Sequence, residues 1–162
     1  MIDVLFQREV PYPPERVLSQ YFDLEHLEHV HPRTFGKARM CSQIGRTIVW
    51  ELEWPPILGL KILRTTISQE YVPPFSIRSR FTKGVLRSTE TLVDLTPTAT
   101  GTMVEERHRV PLPDWPGVSE WVRRTWLKRL HQIWDEDLKV KVCFGGWPGV
   151  PDELSDKLPA CR

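Results

Sequence analysis

Between Gly36 and Leu112 apolar and polar residues alternate with a period of two. Ile48, Trp50, Leu52 and Trp54 interleave with Val49, Glu51 and Glu53, and Phe75, Ile77 and Phe81 interleave with Arg78 and Arg80. Successive side chains of a strand point to opposite faces, so the pattern predicts strands with one apolar and one wet face. Breaks at Gln43 to Gly45, Pro55-Pro56 to Gly59, Pro73-Pro74, Lys83-Gly84 and Pro97 to Gly101 divide the region into about six strands at hairpin spacing, an antiparallel meander. Ahead of it, Asp3 to Val10 reads as one more strand, stopped by Pro11, Pro13 and Pro14. Pro14 opens a short helix at PERVLSQYF. A second short helix, DLEHLEHVH, starts at a capping Asp23 and is ended by Pro32, which disfavours helical geometry in the residue before it.

The period changes again after Pro111, Pro113 and Pro116. From about Val118 to Val142, Val122, Trp126, Leu130, Ile133, Trp134 and Val140 fall on one stripe of a helix, while Arg123, Arg124, Lys128, Arg129 and Asp135 lie mostly away from it. The stripe must face the sheet. Asp137 falls in its middle and Glu136 at its edge. An acid on an apolar face is costly unless it is paired, hydrogen-bonded or bound to a metal. The remainder, residues 144–162, is rich in Gly and Pro and reads as an irregular tail. One α+β domain over residues 1–143 is the predicted organisation: a curved sheet of about seven antiparallel strands around a long C-terminal helix.

Composition narrows the function. Lys and Arg total 22 against 21 Asp and Glu, a net charge of +1 that makes nucleic acid an improbable partner. Seven tryptophans ask for a large core or an aromatic-walled cavity. Three cysteines without paired spacing suggest neither a disulfide framework nor a cysteine metal site. The start of the chain lacks a signal-peptide pattern and no stretch approaches the ~20 apolar residues of a membrane span, so a cytoplasmic location is expected. GxSxG and phosphate-binding glycine loops are absent from the sequence.

A strand, two short helices, six strands and a long terminal helix, with PPERVLSQYFDLEHLEHVHP as the opening helices, resembles the helix-grip fold of the START and birch-pollen-allergen superfamily. That group also includes polyketide cyclases and the catalytic domains of Rieske oxygenases. The resemblance covers about residues 3 to 143, and it implies an apolar small-molecule ligand held between sheet and helix by Trp50, Leu52, Phe81, Val104, Trp126, Leu130, Ile133 and Trp134.

Three of the five histidines, His26, His29 and His31, lie within six residues beside Asp23. The spacing D-x-x-H-x-x-x-x-H, formed by Asp23, His26 and His31 and followed by PRTFG, resembles the motif that supplies two histidine ligands to iron in Rieske oxygenase catalytic domains. The resemblance implies Fe(II) on His26, His31 and Asp137, with Asp23 in a catalytic supporting role. The Rieske cluster motif itself is missing, so electrons would come from a separate donor protein, and Ser19 stands where the family has asparagine. Positions five apart on a regular helix differ by roughly 140° around its axis, so both histidines reach one ion only if the helix loosens before Pro32. The competing readings are a plain cap for Asp23, exposed histidines, and an Asp137 paired with an arginine or with His108.

Two further features carry chemistry. On the last strand Thr102, Val104, Glu106, His108 and Val110 share one face. If that face is inward, Glu106 and His108 enter the cavity as an acid and base of the polyketide cyclase kind; if outward, they form a solvent-face ladder. The loop from Trp54 to Leu60 is unusually apolar and reads as a lid, a partner contact, a transient membrane contact or simple packing against the terminal helix. A metal-free carrier of a lipid, quinone or polyketide remains the alternative to the iron reading.

Overall fold

The computed structural model of the chain describes residues 1–31, 33–54, 64–84, 86–113 and 115–140, apart from the side chains of Glu25, His29, Lys139 and Val140. The predicted tail over 144–162, the helix beyond 140 and the loop residues 55–60 lie outside the described residues. Ten elements follow one another in the predicted order. Strand β1 (Ile2–Val10) leads to helices α1 (Pro14–Gln20) and α2 (Leu24–Val30). The strands β2 (Ala38–Ile44), β3 (Thr47–Glu53), β4 (Arg64–Val72), β5 (Ser76–Lys83), β6 (Glu90–Pro97) and β7 (Thr102–Val110) come next, and α3 (Val118–Val140) ends the fold.

All seven strands form one antiparallel sheet in the order β1-β7-β6-β5-β4-β3-β2. Each hairpin joins neighbours, and β1 closes against β7 at the far edge from β2. The helices α1 and α2 therefore carry the chain from one edge strand to the other. The period-two pattern is visible as burial: Ile48, Trp50 and Leu52 on β3, Thr65, Ile67, Gln69 and Tyr71 on β4, and every even residue of β7 from Thr102 to Val110 point into the fold. The inward face of β7 settles its orientation, with Glu106 and His108 buried rather than forming a solvent-face ladder.

Helix α3 lies against this concave face, packing on β1 and meeting α2 toward its C-terminal part. Val122, Leu130 and Trp134 are buried, Trp126 and Ile133 half-buried, and Arg124, Lys128, Arg129 and Asp135 exposed, as the stripe requires. The main core gathers Phe6, Val17, Phe22, Ile48, Ile77 and Leu130, and a smaller cluster of Ile2, Val4, Val110 and Val122 continues it along β1. Trp126 and Leu127 pack against both.

Helix α1 has Pro at its start, where a missing N–H costs nothing. Helix α2 is capped by Asp23, whose Oδ1 accepts the His26 backbone N–H at 2.9 Å. It ends at Val30. His31 is its C-cap, with φ −118° and ψ 44°, outside helical values. That single non-helical residue is the loosening on which two histidines five apart depend.

No helix among the described residues is long and apolar enough to cross a membrane.

Candidate functional site

A cavity of about 480 Å³ lies between the sheet and α3. Its wall includes Trp50, Leu52, Phe81, Trp126, Leu130, Ile133 and Trp134, seven of the ligand-cavity candidates from the sequence. Val104 is a correction. It is fully buried in the same core cluster as Val10, Val17 and Leu95, and it is absent from the cavity lining although Glu106, two residues along the same face of β7, is part of it. Alternation chooses the face of a strand; which stretch of that face packs and which meets open space depends on what lies opposite. Trp54 also lines the cavity and donates its Nε1–H to Thr65 Oγ1 at 2.9 Å.

At one place on this wall the side chains of His26, His31 and Asp137 converge. Asp137 Oδ1 lies 2.7 Å from His26 Nε2 and 2.7 Å from His31 Nε2, and the two nitrogens are 3.2 Å apart. All three residues are buried, Asp137 at 4% exposure. Three atoms bearing lone pairs this close repel one another unless positive charge is shared among them, as protons or as a metal cation.

The surrounding groups fix the orientation. His31 Nδ1 lies 2.7 Å from Glu136 Oε2, so the proton on that nitrogen is held by a carboxylate and Nε2 is turned to the centre. Gln132 Nε2 in turn donates to Glu136 Oε1 at 2.9 Å. Gln20, at the end of α1, donates its amide to Asp137 Oδ2 and places the same nitrogen 3.3 Å from His26 Nε2. Asp23 Oδ2 stands 3.9 Å from His26 Nδ1, on the far side of the ring. Asp23 does not line the cavity; it caps α2 and backs His26.

Electrostatics follow from this packing. Burial works to raise the Asp137 carboxyl, but hydrogen bonds and charge from His26 and His31 outweigh it and hold the group below its ordinary value. Burial likewise works against charge on His31, yet the bonds to Asp137 and Glu136 win and its pKa is raised.

A second polar cluster faces the same cavity. Glu106 Oε1 accepts the Tyr21 hydroxyl at 2.9 Å and the Trp134 indole N–H at 3.0 Å, and its Oε2 lies 3.0 Å from His108 Nε2. His108 Nδ1 is 3.0 Å from Thr91 Oγ1, a cross-strand neighbour in the β6–β7 register, and its ring lies 5.6 Å from that of Trp126. Burial pushes the Glu106 carboxyl up, but His108, Trp134 and Tyr21 together keep it below the usual carboxylate value. Burial, reinforced by Glu106, pushes the Tyr21 phenol well above its own.

Adjacent residues at the end of α1 thus serve both clusters: Gln20 binds Asp137 and Tyr21 binds Glu106. Sequence reasoning did not single out either one, nor Thr91. A polar residue at a helix end is ordinarily solvated, and only the docking of α1 against the sheet and α3 buries these. His108 pairs with Glu106, so the alternative of an Asp137–His108 pair does not hold.

The donor set fits a metal. Two imidazole nitrogens and one carboxylate oxygen are a donor set that could hold a metal ion. Ligands at right angles around an ion at about 2.1 Å stand about 3.0 Å from one another, and the three observed edges bracket that spacing. Glu136 on His31 is the carboxylate partner that histidine ligands commonly have.

No protein-family model matches the chain, and no curated protein matches it by sequence. Solved structures do. A START superfamily protein from Mycobacterium smegmatis superposes with a TM-score of 0.72 at 18% identity, over 88% of this chain and all of that one (100%). A protein from Thermus thermophilus gives 0.64 at 21% identity, over 85% of this chain and 92% of its own. The Zhui aromatase/cyclase from a Streptomyces species gives 0.62 at 13% identity, over 85% and 88%. The likeness shows the fold, which is the helix-grip fold of the START and birch-pollen-allergen group.

Proposed function

We propose that this helix-grip domain binds an apolar small molecule between its sheet and α3 and holds one iron(II) on His26, His31 and Asp137. The observation that carries the proposal is the meeting of His26 Nε2, His31 Nε2 and Asp137 Oδ1, all within 3.2 Å of one another, on the wall of an apolar cavity. A cavity of about 480 Å³ is in the range that takes small organic ligands.

Iron(II), if held by His26, His31 and Asp137, would supply oxygen-activating chemistry beside the cavity, with electrons drawn from a separate donor protein. The chain's own residues do the rest. Glu136 fixes the His31 tautomer, Gln20 holds Asp137 Oδ2, and Asp23 holds the helix that presents His26. Trp50, Trp126 and Trp134 exclude water from the ligand side. Glu106 and His108 face that ligand as a carboxylate and imidazole that can orient a hydroxyl or carbonyl and move a proton.

A second reading rests on this last pair. Neighbours in fold include aromatase/cyclases, and a buried Glu106–His108 pair in an apolar cavity is the equipment of acid and base catalysis without metal. Elemental analysis separates the two. Protein purified without a metal-binding tag and reconstituted anaerobically with iron(II) is expected to hold about one iron per chain, and Asp137→Ala to lose it while keeping its circular dichroism. A folded parent that takes up an apolar fluorescent probe but no metal sinks the iron reading and leaves the cyclase or carrier one.

A further inference from the structure

The cavity has a mouth, and the mouth carries exposed aromatic surface. Leu112, Trp121, Thr125 and Arg129 line the cavity and are themselves exposed, which places its opening where the chain leaves β7 and enters α3. Trp121 is 66% exposed and Trp115, whose carbonyl accepts the Ser119 N–H one turn away, is 65% exposed. Leu112 and Val118 are exposed beside them. Val118, Trp121 and Thr125 recur at the three- and four-residue spacing that stacks side chains along one side of α3, and Trp115 lies in the segment just before that helix.

The same side continues into cations. Arg124, Lys128 and Arg129 follow Trp121 at three, seven and eight residues, and all are exposed. Arg124 lies 3.4 Å from Glu120 in a solvated pair, whereas Lys128 and Arg129 have no acidic partner among the described residues. Two tryptophans flanked by aliphatic side chains and followed by basic ones match the chemistry of a bilayer surface, where indoles sit at the headgroup level and cations meet anionic lipid. A second copy of the chain fits less well: a two-fold contact through this patch would bring Arg124, Lys128 and Arg129 against their own counterparts.

We propose that this rim docks the protein on anionic lipid membranes, with Trp115 and Trp121 inserted at headgroup depth and Arg124, Lys128 and Arg129 on the phosphate layer. The cavity mouth then opens onto the acyl region, so that an apolar ligand passes between bilayer and cavity without crossing water. This docking rests on the mouth and not on the metal triad, and it holds whether or not iron binds. It also uses residues other than those of the apolar sequence after Trp54.

Flotation with phosphatidylcholine vesicles, with and without about one-third phosphatidylserine, tests it. The full chain is expected to float with the anionic vesicles and to be released as salt rises. Trp121→Ala should lower partitioning about tenfold, the effect of withdrawing one large apolar side chain from the interface. Lys128→Glu and Arg129→Glu should each lower it by about fivefold or more. Arg78→Glu, an equal charge change on the exposed side of β5, should leave it in place and shows that the site, not net charge, is read. Absence of flotation, or equal flotation of the Trp121 and Arg78 variants, overturns the proposal. So does a dimer in sedimentation that Trp115→Ala and Trp121→Ala return to monomer, since the patch would then be a protein interface.

Discussion

Glu106 shows how a buried charge can be made an asset. Its carboxylate accepts from a phenol, an indole and an imidazole, so the cost of removing it from water is offset by three hydrogen bonds. Because its pKa is lowered in the folded state, its contribution is present above the ordinary Glu value and is lost as pH falls through the folded one. Glu106→Gln should therefore destabilise the protein by about 3 kcal/mol at pH 7. The gap to the parent should narrow as pH falls below about 4. Urea titrations of both proteins across that range check it, and a pH-independent gap would mean that the charge is not what matters. At this scale the sequence was readable where a residue violated its surroundings. Asp137 stood out as an acid on an apolar stripe, and Glu106 and His108 as polar residues sharing a face with Val104 and Val110. Gln20 and Tyr21 violated nothing locally. Their burial against Asp137 and Glu106 is a tertiary fact that spacing does not carry.

Elements were legible to the extent that turn chemistry and period agree. Each break marked by Gly or Pro among the described residues falls between strands, and the β6–β7 turn shows the physical reason. Gly101 sits so close to β1 that an added Cβ would overlap the Val10 carbonyl oxygen, a backbone atom that cannot swing aside. Gly101→Ala should cost about 1–3 kcal/mol. Thermal unfolding checks it, with Gly45→Ala as the contrast, since there a Cβ meets open space and the only strain is a φ of +56°. Helix α2 carries the other lesson. Regular helix geometry sets His26 and His31 on different sides, yet a C-cap at His31 with a non-helical φ of −118° brings the two Nε2 atoms within 3.2 Å. Pro32 made that end foreseeable from the sequence, whereas the direction in which the released ring would turn was not, because Glu136 and Asp137 of α3 decide it from 105 and more residues away.

For the molecule as a whole, the grip of the sheet on α3 creates one cavity with the triad, the Glu106–His108 pair and the exposed mouth on its wall. Ligand occupancy and metal occupancy are therefore separable by geometry: a change on the sheet side can fill the space without touching the triad. Ser79 is the place to make it. It lies on the inward face of β5, lines the cavity, and spends its hydroxyl on a 3.5 Å contact with Gln69 Oε1. Ser79→Phe projects a ring into the cavity at the loss of that one weak bond. It should reduce uptake of an apolar fluorescent probe by about tenfold, the scale of a few lost apolar contacts. Under the proposed iron site, metal content should stay at the parent's level, because none of His26, His31 and Asp137 is displaced. Probe titration and elemental analysis on the same preparation read both quantities. Loss of metal together with probe would show that the cavity and the triad act as one unit, so that ligand shape and metal binding cannot be varied independently.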